Sequence, residues 1–177
     1  MFNLPKTFFI DIAELERQYI VLQSQYHPDK FVNKSPEEIA QATVKSSLIN
    51  EQYQTLKDPV KRAKTLLPTQ TEITTDPELL IEMMELREEI AHSRHCDELS
   101  DEAIHASDRH LPGLLRFARN DGIWGIAEKV NMQIIEVENS FEEALQRDDV
   151  AKMNELFVRM QYLYKAKTEI RDKVYKC

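Results

Sequence analysis

Two apolar stripes of helical period flank the tripeptide His27-Pro28-Asp29. The first runs from Ile12 to Tyr26 with spacings of 3, 4, 3 and 4, and the second runs from Ile39 to Leu56 with the same alternation. Such spacings are typical of amphipathic α-helices. Proline lacks an N–H and disfavours the helical conformation in the residue before it, so the first helix must end ahead of the tripeptide. The pattern predicts an antiparallel helical hairpin with the tripeptide as an exposed turn at its tip.

Capping residues mark where the predicted helices begin and end. Asp11, with Glu14 three positions on, forms a capping-box-like pair before the first stripe. Residues 35–38 combine a serine cap, a proline at the first helical position and glutamates in the first turn. Asp58-Pro59 is expected to end the second helix and to start a short third one that reaches Leu67.

Glycine is scarce and confined to one part of the chain. The three glycines of the 177 residues are Gly113, Gly122 and Gly125. Strands and hairpins need turn residues at regular intervals, and most of this sequence lacks them. We therefore predict an all-α fold of one or two small domains.

Three further helices are predicted after a polar linker at residues 69–76. Thr75 or Asp76 caps the first of them, with Pro77 at its first position. The first turns of that helix are apolar around most of the circumference. This is more apolar surface than packing against one core would bury, which indicates that the helix binds a partner. The next helix is predicted from an apolar stripe of helical period that runs from about Trp124 to Arg147. Asp148 is expected to cap the last helix. The second part of the chain, residues 77–177, is thus predicted to be a three-helix bundle whose methionines fill the core.

Helical periodicity is lost at about residues 94–122, which we interpret as a repeat-like insert. Parts of this block resemble translated palindromic repeat elements. A metal site is the alternative, because five possible ligands lie in or near the block: His92, His95, Cys96, His105 and His110. Their spacing matches no standard zinc pattern, so we predict neither a metal nor another cofactor.

Charge and composition exclude several classes of protein. The net charge is −8, and no cluster of basic residues suggests nucleic-acid binding. The two cysteines are too few for a disulfide framework, and reduced thiols are typical of cytosolic proteins. The sequence shows neither an apolar run of about 18 residues nor a leader-like start. We expect a cytoplasmic bacterial protein with no membrane partner.

The tripeptide allows three interpretations. As an enzyme site, His27 and Asp29 could act as an acid–base pair, but the tip of a hairpin is convex and offers neither a nucleophile nor a pocket. As a simple cap-and-turn device, it explains Pro28 but not an exposed His27. The third interpretation is that the tip is a surface presented to another protein, which predicts a protein that is not an enzyme.

Residues 1–68 resemble a J-domain, whose signature is His-Pro-Asp between its second and third helices. More closely, the chain resembles the HscB-type co-chaperones of iron–sulfur cluster assembly. The resemblance rests on His-Pro-Asp-Lys-Phe at residues 27–31, Ile49-Asn50, Arg62-Ala63 and Leu66-Leu67. The family's aromatic-rich first helix is short or missing here, because only a short apolar stretch, residues 2–5, precedes the hairpin.

The resemblance implies a J-domain hairpin followed by a client-binding bundle. By resemblance, the tip docks on a DnaK-type, HscA-like chaperone and biases it toward ATP hydrolysis. The residues implied in chaperone binding are His27, Pro28, Asp29, Arg17 and Lys30. Ser24 departs from the pattern, because many relatives carry a basic residue there.

The same resemblance implies a face for the iron–sulfur scaffold protein in the second part of the chain. Its residues are Leu80, Ile81, Met84, Glu85, Glu88 and Tyr162. The alternative is that Leu80, Ile81 and Met84 belong to the bundle core. His92 stands where the family often has an acid. The expected function is therefore delivery of the scaffold to the chaperone, and the alternative is a general J-domain co-chaperone for other clients.

Overall fold

The computed structural model describes residues 2, 4–68, 76–93 and 122–175. These residues form six α-helices and contain no strand, so the predicted all-α fold is confirmed. The helices are α1 (Ile12–Tyr26), α2 (Pro36–Lys57), α3 (Pro59–Leu66), α4 (Pro77–His92), α5 (Ile123–Gln146) and α6 (Val150–Tyr175), with a 3₁₀ turn at Pro28–Phe31 between α1 and α2.

Helices α1 and α2 form the predicted hairpin, and short polar side chains fix its ends. The Asp11 carboxylate accepts hydrogen bonds from the backbone N–H groups of Ala13 and Glu14. The prediction that Glu14 completes a capping box was wrong, because its carboxylate instead accepts hydrogen bonds from Arg17 and Gln18 further along the helix.

The starts of α2, α3 and α4 follow the sequence pattern. Ser35 and Glu38 form a full capping box at α2, each side chain bonding the other's backbone N–H. Asp58 accepts from two N–H groups of α3, which ends at Leu66, one residue earlier than expected. Asp76, rather than Thr75, caps α4. Local side-chain chemistry thus sets three of the helix boundaries.

Helices α4, α5 and α6 form the C-terminal bundle around one apolar core. Every third or fourth residue of each helix points inward, and α5 and α6 pack along most of their length. Among the most deeply buried side chains of the bundle are Ile123, Val130, Phe141, Met153, Phe157, Met160 and Leu163. The predicted three-helix bundle is confirmed, and Met153 and Met160 fill its core as expected.

The turn between α5 and α6 differs from the prediction. Asp148 adopts a left-handed backbone conformation with φ 55° and lies in the tight turn that ends α5. Asp149, not Asp148, caps α6, since its carboxylate accepts from the N–H of Lys152 at 3.0 Å. The sequence offered two adjacent aspartates, and only the geometry of the preceding helix end decides between them.

The N-terminal segment joins the hairpin to the bundle. The Phe8 side chain is fully buried and lies 5.3 Å from the Phe141 ring of α5. Its backbone N–H donates to a carboxylate oxygen of Glu142 at 2.7 Å. The Arg62 guanidinium of α3 lies 4.9 Å from the centre of the Phe8 ring, and burial lowers the pKa of this arginine. These contacts attach α3 and the N-terminal segment to the bundle.

Some predictions fall outside the described residues. The linker at 69–76 is described only at Asp76, and the predicted insert at 94–122 only at Gly122, so both stay predictions. Of the alternative metal ligands, His92 alone is described. No group of three or more possible ligands occurs within residues 4–68, 76–93 and 122–175. In the same ranges no helix is long and apolar enough to cross a membrane.

Candidate functional site

The tripeptide lies at the tip of the hairpin and is exposed to solvent. His27 ends α1 and begins the 3₁₀ turn with an extended backbone, as expected for a residue before proline. The Asp29 side chain is 84% exposed and that of His27 is 53% exposed. The tip is therefore a small convex surface that offers an imidazole and a carboxylate side by side.

Hydrogen bonds within the turn orient the imidazole. The backbone N–H of Asp29 donates to Nδ1 of His27 at 3.3 Å, and the Asp29 carboxylate lies 3.5 Å from the same nitrogen. Because Nδ1 accepts, the neutral ring carries its proton on Nε2. The N–H of Lys30 donates to the His27 carbonyl at 3.0 Å, which closes the turn. Within the described part of the chain, the contacts of the ring are made through Nδ1, so Nε2–H stays available to another molecule.

A polar seam between α1 and α2 fixes the position of the tip. The Tyr19 hydroxyl and the Gln23 amide both donate to Oδ1 of Asn50 at 2.7 Å. Tyr19 also stacks on Tyr53, with ring centres 4.1 Å apart. Hydrogen bonds are directional, so this seam sets the register of the two helices. Sequence reasoning identified Asn50 through the resemblance but missed Gln23 and the role of both tyrosines.

The two basic residues expected to assist the tip are exposed. Arg17 lies on the outer surface of α1, where its guanidinium pairs with the Glu14 carboxylate at 2.5 Å. A hydrogen bond from Gln18 and then the one from Arg17 lower the pKa of Glu14. Lys30 follows the tripeptide within the 3₁₀ turn. The structure thus places both cations on the hairpin surface, and the charge of Arg17 is partly neutralised.

Helix α4 has a second apolar face outside the core. Its buried residues are Leu79, Met83, Leu86 and Ile90. Leu80, Ile81 and Met84 are 38%, 58% and 64% exposed. The alternative that these three belong to the bundle core was wrong, because the packing of α4 leaves them on its outer side. Glu85 and Glu88 are exposed on the same helix.

Tyr162, the sixth residue expected on this face, is contributed by α6. Arg159 and Glu169 of α6 pair with Glu82 and Arg87 of α4, so the two helices lie side by side and run in the same direction. Tyr162 lies between these two pairs along α6 and is half-buried against the core. The structure therefore places Tyr162 beside α4 but does not expose it as fully as Ile81 or Met84.

Two family profiles match the two halves of this architecture. Residues 2–65, which include the hairpin and its tip, match the DnaJ domain. Residues 115–171, which include α5 and most of α6, match the HSCB C-terminal oligomerisation domain. A protein with this pair of domains is a J-domain co-chaperone.

Relatives and solved structures agree with the two profiles. The chain is 36% identical over 123 residues to a co-chaperone protein HscB homolog of Vibrio cholerae, covering 66% of this chain and 71% of that one. It is 35% identical over 105 residues to the co-chaperone protein HscB homolog of Shewanella amazonensis, and these residues span 55% of this chain and 60% of the relative. The structure resembles chaperone HscB from Vibrio cholerae with a TM-score of 0.74 and 28% identity, over 97% and 93% of the two chains. It resembles human co-chaperone HscB with a TM-score of 0.75 and 25% identity, over 99% and 80%.

The chain belongs to the HscB family of J-domain co-chaperones. Its match spans only about 60% of the length of several of the curated relatives.

Proposed function

We propose that this protein stimulates ATP hydrolysis by a DnaK-type, HscA-like chaperone and delivers the iron–sulfur scaffold protein to it in the bacterial cytoplasm. The observation that carries the proposal is the exposed His27-Pro28-Asp29 tip, held by the seam between α1 and α2. Family membership supports it. In this function the protein performs no hydrolysis itself and needs no cofactor.

The tip can act on a chaperone through charge and shape. The Asp29 carboxylate is oriented outward and would accept charge-assisted hydrogen bonds from a basic group of the chaperone, which are strong once water is excluded. Nε2–H of His27 would donate a further hydrogen bond. Pro28 and the closed turn hold both groups in place beforehand, so docking loses little conformational entropy. Arg17 and Lys30 would add contacts at the edge of the interface.

The α4 face supplies the second half of the proposal. Three exposed apolar side chains beside exposed glutamates form a surface suited to a client with apolar and basic residues. A protein that holds the client on one face and the chaperone on another raises their effective concentration. Client delivery would follow from this geometry without any chemistry in the co-chaperone.

The tip is tested by His27→Gln, with His92→Gln as the matched control on another exposed surface. We expect His27→Gln to abolish stimulation of the chaperone's steady-state ATPase, because a flexible glutamine amide cannot replace the rigid imidazole that the turn orients through Nδ1. Circular dichroism should show unchanged helix content in both variants. Normal stimulation by His27→Gln would exclude the proposed role of the tip.

The α4 face is tested by replacing Leu80, Ile81 and Met84 together by alanine. We expect binding of the iron–sulfur scaffold, measured by calorimetry, to weaken by on the order of a hundredfold, because a few apolar positions dominate most interfaces. Exposed substitutions cost little stability, so thermal unfolding should change only slightly. Val44→Ala, at an exposed position of α2, is the control. Unchanged scaffold affinity in the folded triple variant would leave a general co-chaperone for other clients as the better description.

A further inference from the structure

The outer side of α1 carries two exposed apolar side chains that the proposed function does not use. Ile20 is 65% exposed and Val21 is 53% exposed. At about 100° per residue, both fall on the side of α1 that lies opposite the seam with α2, together with Arg17 and Ser24. We call these four positions the outer α1 face.

The outer α1 face offers little positive charge. Within Ile12–Tyr26, all of which the structure describes, Arg17 is the single cation, and its guanidinium pairs with Glu14 of the same helix. The Ser24 hydroxyl donates to the Val21 carbonyl at 2.8 Å, so it is turned back onto the helix. The surface between these two polar groups is apolar. A partner with an acidic docking surface would therefore gain little from this face.

The outer α1 face adjoins the tip. With a rise of about 1.5 Å per residue, Ile20 and Val21 lie about 9–11 Å along α1 from His27. A specific interface covers about 800 Å² on each partner, far more than the four-residue turn of the tip can offer. A protein that docks on the tip must therefore cover neighbouring surface as well. Docking along α1 buries apolar side chains, whereas docking along the start of α2 would remove water from Glu37 and Glu38.

We propose that Ile20 and Val21 are docking residues for the DnaK-type chaperone, which presents an apolar surface to them beside the groups that receive the tip. This inference rests on the proposed function, because it extends the interface of the same tip. The two parts have different roles: the tip stimulates hydrolysis, and the apolar pair sets affinity and selectivity. A chaperone whose docking surface is acidic throughout would bind this hairpin poorly, since it could not bury the two side chains favourably.

The docking pair is tested in the full chain with Ile20→Ser and Val21→Ser combined. The ATPase of a purified HscA-like chaperone is measured as the co-chaperone concentration rises. We expect the concentration for half-maximal stimulation to increase by at least about tenfold, because a few side chains dominate most interfaces. Maximal stimulation should stay unchanged, because the tip is intact. An unchanged half-maximal concentration, or a loss of maximal stimulation alone, would overturn the proposal.

Val44→Ser with Ile135→Ser is the matched control. It removes the same two kinds of side chain at almost the same exposure, 68% and 54%, from α2 and α5. Both double variants place serine at two exposed helical positions, so circular dichroism should show the same helix content in each. The control should stimulate the chaperone like the wild-type protein. If it weakens docking as much as the α1 variant, the effect is unspecific and the proposal fails.

Val21→Arg tests the chemistry of the chaperone's surface. Against an apolar surface the guanidinium would lose water without gaining a partner, so docking should weaken about tenfold or more. Against an acidic surface the same substitution would strengthen docking, and that result would overturn the proposal. Wild-type protein that fails to stimulate the chaperone at any concentration would instead contradict the proposed function, and this inference with it.

Discussion

The hairpin and the bundle are both helical, but they are held together by different interactions. In the bundle, apolar side chains of α4, α5 and α6 form one continuous core that also includes Phe8 and Ala63. In the hairpin, Leu15, Ala42, Ile49 and Tyr53 are buried outside that cluster. Between α1 and α2, hydrogen bonds around Asn50 and Gln23 accompany this smaller apolar contact.

This difference suggests that the bundle supplies most of the folding free energy and that the hairpin holds its side chains in a fixed geometry. Apolar burial is strong and non-directional, so the bundle can supply most of the folding free energy. Hydrogen bonds contribute less net stability but demand fixed geometry, which suits a hairpin whose tip must present two side chains in one orientation. The hairpin then depends on the bundle through the contacts of Phe8, Ala63 and Arg62.

The largest expected effect comes from breaking that dependence with Phe8→Ala. Phe8 is fully buried against Phe141, and such substitutions cost about 3–5 kcal/mol. Hydrogen exchange should show faster exchange throughout α1–α3, while the amides of α6 stay comparatively protected. Phe9→Ala, at a neighbouring ring that is 49% exposed, should cost only about 1 kcal/mol. Equal loss of protection in both regions would show that hairpin and bundle unfold as one unit.

The sequence predicted features that are local in the chain. Caps at Ser35, Asp58 and Asp76 depend on residues two or three positions away. Apolar spacing identified α1, α2, α5 and α6, and the caps with their following prolines identified α3 and α4. The exposed tip followed from Pro28, which restricts the residue before it, and from the two apolar stripes that flank it.

What the sequence did not predict depends on contacts between distant residues. The burial of Phe8 against Phe141 joins positions far apart in the chain, and no periodic pattern in the sequence predicts this contact. Leu80, Ile81 and Met84 could not be separated from the core, because α4 is apolar on two sides and only its packing against α6 determines which side is buried. An adjacent pair of phenylalanines, Phe8-Phe9, was the one signal that could have been used.

A smaller effect is expected where the bundle itself uses polar contacts. Nζ of Lys173 donates to the carbonyl oxygens of Ile90, Ala91 and Ser93 at 2.7–2.9 Å, at the C-terminal end of α4. A cation there also interacts favourably with the helix dipole. Lys173→Met keeps the apolar stem but removes the ammonium group that donates to these carbonyls. The free energy of unfolding, measured by chemical denaturation, should fall by about 1.5–3 kcal/mol.

Lys165→Met, at an exposed position of the same helix, is the control and should change stability little. If the two substitutions have the same cost, the Lys173 contacts do not contribute to stability, and the bundle rests on apolar packing even at this end. A selective loss at Lys173 would instead show that a directional contact supports the helix carrying the α4 face.

The smallest expected effect concerns the polar seam of the hairpin. Tyr19→Phe preserves the stack on Tyr53 but removes the hydroxyl that donates to Asn50, which should cost about 0.5–1.5 kcal/mol. Tyr175→Phe, at a hydroxyl that is part of an 80% exposed residue, should be neutral. Because Gln23 also binds Asn50, the seam should loosen without separating, and amide exchange should rise in α1 and α2 but not in α6.

If Tyr19→Phe lowered chaperone stimulation more than its stability cost explains, the seam would be shown to orient the tip as well as to hold it. Unchanged exchange in α1 and α2 would mean that apolar contact alone maintains the hairpin, and the contrast between the two regions would no longer hold.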